Sequence, residues 1–210
     1  MIKAVLFDLD GVLVFTDELH FQVWREMAAN LGVQFTEEQA NRCRGLSRMD
    51  SLEIVLEKSE RKFSQAEKEE LARQKNEGYC RLLDKLTPDE IPFETRDTLA
   101  KLRERGIKLA VASSSRNARL ILQKIGLTDM FDAIVDGNDI SRSKPDPEVF
   151  ALAAKAVGEL PENCLAVDDA ESGIASAKGA GTVAVGIGNS AERKLGEYNI
   201  ESLKDLLNLI

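Results

Sequence analysis

The chain has 210 residues, 43 % of them apolar, which is enough to bury a substantial core in one main domain plus a smaller one. Pro is rare at five residues, so the chain reads as ordered and globular rather than disordered. A formal net charge of −8 argues against nucleic acid as a partner, and an anionic substrate must be drawn in by local positive groups or a bound cation.

Three cysteines, Cys43, Cys80 and Cys164, are odd in number and widely spaced. They form neither a disulfide framework nor a zinc pattern, and a reducing cytosol is the simplest compartment. The N-terminus runs directly into a short apolar segment without a signal-peptide pattern, and no apolar run approaches membrane-spanning length. A water-soluble cytoplasmic protein is therefore expected.

Along the chain, Ala4-Val5-Leu6-Phe7 is too brief for a helix and suits a buried parallel strand. It ends at Asp8-Leu9-Asp10-Gly11. Residues 15–87 then lose the strand signal and read as three or four amphipathic helices. Within them, Thr36 with Gln39 and Ser64 with Glu67 fit the capping-box spacing. Beyond residue 87, strands are expected at 108–112, 133–135, 164–167 and 182–185. Helices at 96–105, 116–125, 147–157 and 171–180 separate them. Alternation of this kind implies a mostly parallel, Rossmann-like α/β sheet. The expected division is a catalytic core of 1–14 and 88–210 with an inserted helical cap of 15–87. The linkers would lie near 14–17 and 84–92.

Four clusters carry chemistry, each expected where a strand gives way to a loop or helix, at the edge where open α/β sheets gather ligands. Asp8 and Asp10 are two carboxylates two residues apart; one could accept a phosphoryl group and the other shuttle a proton. Ser113-Ser114-Ser115-Arg116-Asn117 offers hydroxyls and N–H groups to phosphate oxygens. Lys144, before Pro145, could neutralise developing negative charge. Asp168-Asp169 are hard oxygen ligands suited to Mg2+. Taken singly, these clusters also fit a solvated turn, a serine cap, a surface lysine and the acids of a helix start. Together and in this order they supply a nucleophile, a proton shuttle, phosphate donors, a cation and metal ligands.

In that combination the sequence resembles the haloacid dehalogenase superfamily, whose four motifs match Asp8-x-Asp10, Ser113, Lys144 and Asp168-Asp169 in order. The cap segments Gly45-Leu46-Ser47-Arg48-Met49-Asp50-Ser51-Leu52 and Gln74-Lys75-Asn76 narrow the match. So do Thr16, His20 and Trp24 at i, i+4 and i+8. These resemble the branch containing β-phosphoglucomutase and many small-molecule phosphatases.

The resemblance implies Asp8 as nucleophile and metal ligand, and Asp10 as general acid/base with its backbone carbonyl on the metal. It implies Asp169 as a direct ligand of Mg2+, with Asp168 bound directly or through water. Ser113, the Ser114 backbone and Lys144 would hold the phosphoryl group in transit, while Arg48, Ser115 and Asn117 would hold the substrate's other phosphate. His20, Trp24, Gly45, Leu46, Ser51 and Lys75 would line the sugar side, with Thr16 at the hinge. The implied reaction interconverts β-glucose 1-phosphate and glucose 6-phosphate through an aspartyl-phosphate and a sugar bisphosphate, in a monomer without nucleic-acid or membrane partners. A sugar-phosphate phosphatase uses the same four motifs and is the first alternative. A phospho-accepting signalling receiver would be shorter and uncapped, and dehalogenation does not call for Asp10 or a metal-binding pair.

Overall fold

The computed structural model describes the whole chain, Met1–Ile210. The five apolar runs become β1 (Ala4–Phe7), β2 (Lys108–Ala112), β3 (Ala133–Val135), β4 (Cys164–Asp168) and β5 (Val183–Gly186). A short edge strand, β6 (Tyr198–Asn199), completes the sheet. Every pairing is parallel, in the order β3-β2-β1-β4-β5-β6, so β1 lies between β2 and β4.

Side chains alternate across this sheet by size. Val5, Phe7, Leu109, Val111, Leu165, Val167 and Val185 point to one face and pack with Leu99 and Leu102 of α5 (Phe93–Glu104) and Ile121 and Leu122 of α6 (Ala118–Lys124). Ala4, Ala110, Ala112, Ala166 and Ala184 point to the other. Their small volume lets Val149, Phe150 and Ala153 of α7 (Glu148–Ala156) and Ile174 and Ala177 of α8 (Glu171–Gly179) close on the strands. Both faces are covered, as a parallel sheet requires. A one-turn helix, α9 (Gly188–Glu192), follows β5.

Between β1 and α5 the chain forms α1 (Asp17–Asn30), α2 (Glu37–Cys43), α3 (Arg48–Leu56) and α4 (Gln65–Leu83). Thr36 and Ser64 cap α2 and α4 through complete capping boxes with Gln39 and Glu67. The four helices enclose their own apolar cluster around Trp24, Phe35, Leu52 and Val55. Val23, Tyr79 and Leu83 instead join the cluster of the sheet, so the insert and the sheet share apolar contact.

Several boundaries differ from expectation. Helix α5 starts at Phe93 rather than 96. Helix α6 starts at Ala118 rather than 116, because the Ser115 hydroxyl takes the Asn117 N–H at 3.2 Å and holds 115–117 in a turn. Strand β5 starts at Val183, since the Thr182 hydroxyl donates back to the Ala177 carbonyl at 2.8 Å. No helix is long and apolar enough to cross a membrane.

Candidate active site

Where β1 ends, the Asp8 N–H donates to Val167 O at 2.9 Å and the chain turns back, with Leu13 N–H on Leu9 O at 2.9 Å. Gly11 sits in that turn at φ +86°, and a Cβ there would lie 2.5 Å from the Asp169 carboxylate. Glycine is required by both conformation and space. The turn thereby brings Asp8 from β1 beside Asp168 and Asp169 from the end of β4, and their carboxylate oxygens lie within 4.8 Å of one another.

Lys144 was expected at a strand–helix junction. It lies instead well past Val135, in the long loop before α7, because β3 is the edge strand and the chain must cross β2 to reach β1. That loop is pinned by Ser176 Oγ on Asp146 O at 2.6 Å, and the peptide before Pro145 is cis. The buried ammonium donates to Asp8 Oδ1 at 2.5 Å and Asp168 Oδ2 at 2.8 Å. Burial opposes its charge, but Asp168 and Asp8 outweigh that and hold it above the usual lysine range. Burial, together with Asp168 and Asp10, pushes the Asp8 carboxyl well above the usual range despite Lys144. Burial and Asp168 likewise push Asp169 up to about 7. Such crowded carboxylates suit a hard divalent cation, whose charge would relieve them.

The Asp10 carboxylate stands apart from that cluster. Thr16 heads α1 but makes no capping bond, donating its hydroxyl to Asp10 Oδ1 instead. Burial raises the Asp10 carboxyl to about 6, with Thr16 restraining the rise. A carboxyl tuned there can exchange a proton near neutral pH. After β2, the Ser113 hydroxyl accepts the Ser115 N–H at 3.1 Å, which leaves its own proton free for a phosphate oxygen.

From the helical insert, Arg48 Nη2 donates to Asn76 Oδ1 at 2.7 Å, and Asn117 Nδ2 donates to the same oxygen at 2.9 Å. Asn76 thus joins α3 to the loop after β2. Lys75 Nζ lies 2.9 Å from His20 Nδ1 and over the rings of Trp24 and Tyr79. Burial and Arg48 bring the Lys75 ammonium down to about 7, while burial and Lys75 take His20 well below its ordinary value. Asp50 Oδ2 accepts from the Ser143 hydroxyl at 2.6 Å, closing the insert onto the Lys144 loop.

Together these elements enclose a cavity of 1310 Å³. Asp8, Asp10, His20, Trp24, Gly45, Leu46, Arg48, Ser51, Lys75, Ser113, Ser114, Ser115, Asn117 and Lys144 all line it. Thr16, Asp168 and Asp169 do not; Thr16 lies under Asp10, Asp168 under Lys144, and Asp169 behind Arg44. Arg44, Asn76 and Arg116 also line the cavity; sequence reasoning placed Asn76 and Arg116 inside its motif segments without giving them a role of their own, and it missed Arg44. Arg44 adjoins Gly45, so position beside a candidate was the one signal available for it.

A family model for haloacid dehalogenase-like hydrolases matches residues 2–181. The chain belongs to this haloacid dehalogenase-like hydrolase family. Among members, it is 40 % identical to the β-phosphoglucomutase of Bacillus subtilis, over 97 % of this chain and 91 % of that one. It is 34 % identical to a phosphorylated carbohydrates phosphatase of Thermotoga maritima, over 85 % and 82 %. The crystal structure of a β-phosphoglucomutase from Clostridium difficile superposes with a TM-score of 0.92 at 35 % identity, covering 98 % of this chain and 93 % of that one. That extent takes in the family's parallel core and the helical insert alike.

Proposed function

We propose that this chain is a β-phosphoglucomutase that interconverts β-glucose 1-phosphate and glucose 6-phosphate, with residues 15–87 acting as a cap over the core. The observation that carries this reading is that two groups of candidate phosphate donors line one cavity. Lys144 donates to Asp8, with Ser113 and Ser114 lining the same cavity, while Arg48 and Asn117, bridged by Asn76, line it with Ser115 and Arg116 and would form a second anion-binding group. A mutase must hold a bisphosphate at both ends; hydrolysis of a monoester needs only the first group. A cavity of this volume accommodates a hexose bisphosphate.

In this mechanism the phosphorylated Asp8 is the donor. The sugar O6 attacks phosphorus, the bond from phosphorus to the Asp8 oxygen breaks, and Asp10 takes the hydroxyl proton. The bisphosphate then turns over within the closed site. Asp8 attacks the phosphorus at C1, the bond to O1 breaks, and Asp10 returns the proton to O1. Lys144 and the Ser113 hydroxyl offset charge on the phosphoryl oxygens throughout. Asp8, Asp168 and Asp169 would hold a divalent cation such as Mg2+, which when bound supplies further positive charge against those oxygens. Water must stay out, since it would hydrolyse the acyl phosphate.

The test is covalent labelling. Incubation with glucose 1,6-bisphosphate and Mg2+ should add one phosphoryl mass to the intact chain and none to Asp8→Asn. Label retained by Asp8→Asn would remove Asp8 as the nucleophile.

A further inference from the structure

Arg44 is a charged residue in the cavity for which the mechanism above has no use. It ends α2, and two separate contacts tie it to the core. Its guanidinium Nη1 donates to Asp169 Oδ2 at 2.9 Å and pairs with Asp17 Oδ2 at 2.7 Å. Its backbone carbonyl accepts from Ser172 Oγ at 3.0 Å. Gly45, next in the chain, lies so close that a Cβ would come 2.5 Å from that same Ser172 oxygen.

Two roles toward a divalent cation are conceivable for a cation seated on Asp169: orienting the carboxylate, or opposing the ion. Packing decides between them. Asp169 is already confined, its carboxylate filling the space a Cβ on Gly11 would take and its backbone carbonyl accepting the Ser190 N–H at 3.0 Å. Orientation needs no help from Arg44. What remains is its charge, which sits on one oxygen of a carboxylate in the cluster of Asp8, Asp168 and Asp169. Two cations sharing one carboxylate repel, and Asp17 offsets only part of this.

We infer that Arg44 is an electrostatic latch between cap and core that opposes divalent-cation binding at Asp169, so that cap opening and cation uptake favour each other. The inference rests on the metal-site reading of the three aspartates. Linkage makes it reciprocal: opening raises cation affinity, and the bound cation weakens the latch by the same factor.

The experiment is calorimetric titration of Mg2+ into the wild-type chain, Arg44→Gln, Arg44→Ala and Arg44→Lys, with small-angle X-ray scattering at each endpoint. Arg44 is about one-third exposed, with a side-chain exposure of 32 %, so the coupling should lie at the low end of the usual range. Arg44→Gln and Arg44→Ala should bind Mg2+ about fivefold more tightly than wild type. Arg44→Lys, which keeps the charge, should stay near wild type. Saturating Mg2+ should increase the radius of gyration of wild type and leave that of Arg44→Gln unchanged. Equal or weaker binding by both neutral variants, or a wild-type radius indifferent to Mg2+, overturns the latch. Absence of binding by wild type at millimolar Mg2+ overturns the metal-site reading and the latch with it.

Discussion

Lys75 and Lys144 are both buried cations in one cavity, and their partners make them opposites. Lys144 faces two carboxylates and keeps its charge. Lys75 is bonded to no carboxylate, lying against a histidine nitrogen and two aromatic rings, and burial with Arg48 brings its ammonium down to about 7. In the unfolded chain a lysine stays protonated to a pH of about 10.4. Between about pH 7 and 10 the unfolded state therefore binds more protons, and stability rises with pH. Below that window the penalty of charging Lys75 in the fold is fully present. Lys75→Met should accordingly gain stability over wild type at pH 7, and the gain should shrink towards pH 10. Urea unfolding of both proteins at the two pH values measures this; a difference that does not vary with pH would show that Lys75 keeps its proton throughout.

Among the helices, some residues hold an element together and others only aim it. Ser64 accepts the Glu67 N–H and completes the box that starts α4. Ser64→Ala should cost about 1 kcal/mol of stability in thermal unfolding and leave turnover unchanged. Asn76, further along the same helix, supports Arg48 and Asn117 rather than the helix. Asn76→Ala should leave the unfolding midpoint within a degree or two of wild type, yet slow the mutase reaction about tenfold, as the proposed phosphate grip of Arg48 would require once its support is gone. Loss of stability without loss of turnover would reverse these roles. The contrast also marks what sequence can reveal. The box at Ser64 is a local pattern, as are the apolar runs of β1, β2 and β4. The part played by Asn76 arises only when α4, α3 and the loop after β2 meet, and no local spacing encodes that. The same holds for Arg44, which is an ordinary charge at a helix end until Asp169 is beside it. Strand β6 escaped notice because Tyr198–Asn199 is two exposed residues long, with no apolar run to announce it. Lys144 was recognised by its Pro145 neighbour, but its distance from β3 follows from strand order, which is a global property.

At the scale of the molecule, the proposed function depends on how the helical insert, as a cap, meets the sheet domain. Asp50 on Ser143, Arg44 on Asp169 and Asn76 on Asn117 span that junction at separate points around the cavity. Gripping a distal phosphate through Arg48 would therefore stabilise closure, which a small phosphate ester lacking that group cannot do. Arg48→Ala should lower mutase turnover by about 100-fold or more while changing hydrolysis of a small ester by less than about fivefold. Equal losses in both would separate Arg48 from closure. The most direct single measurement is a coupled assay with β-glucose 1-phosphate, Mg2+ and a trace of sugar bisphosphate, following glucose 6-phosphate and free phosphate together. Glucose 6-phosphate formed without matching phosphate release is the expected result. Phosphate release without glucose 6-phosphate would contradict the mutase assignment and make the protein a sugar-phosphate phosphatase built on the same four aspartates and lysine.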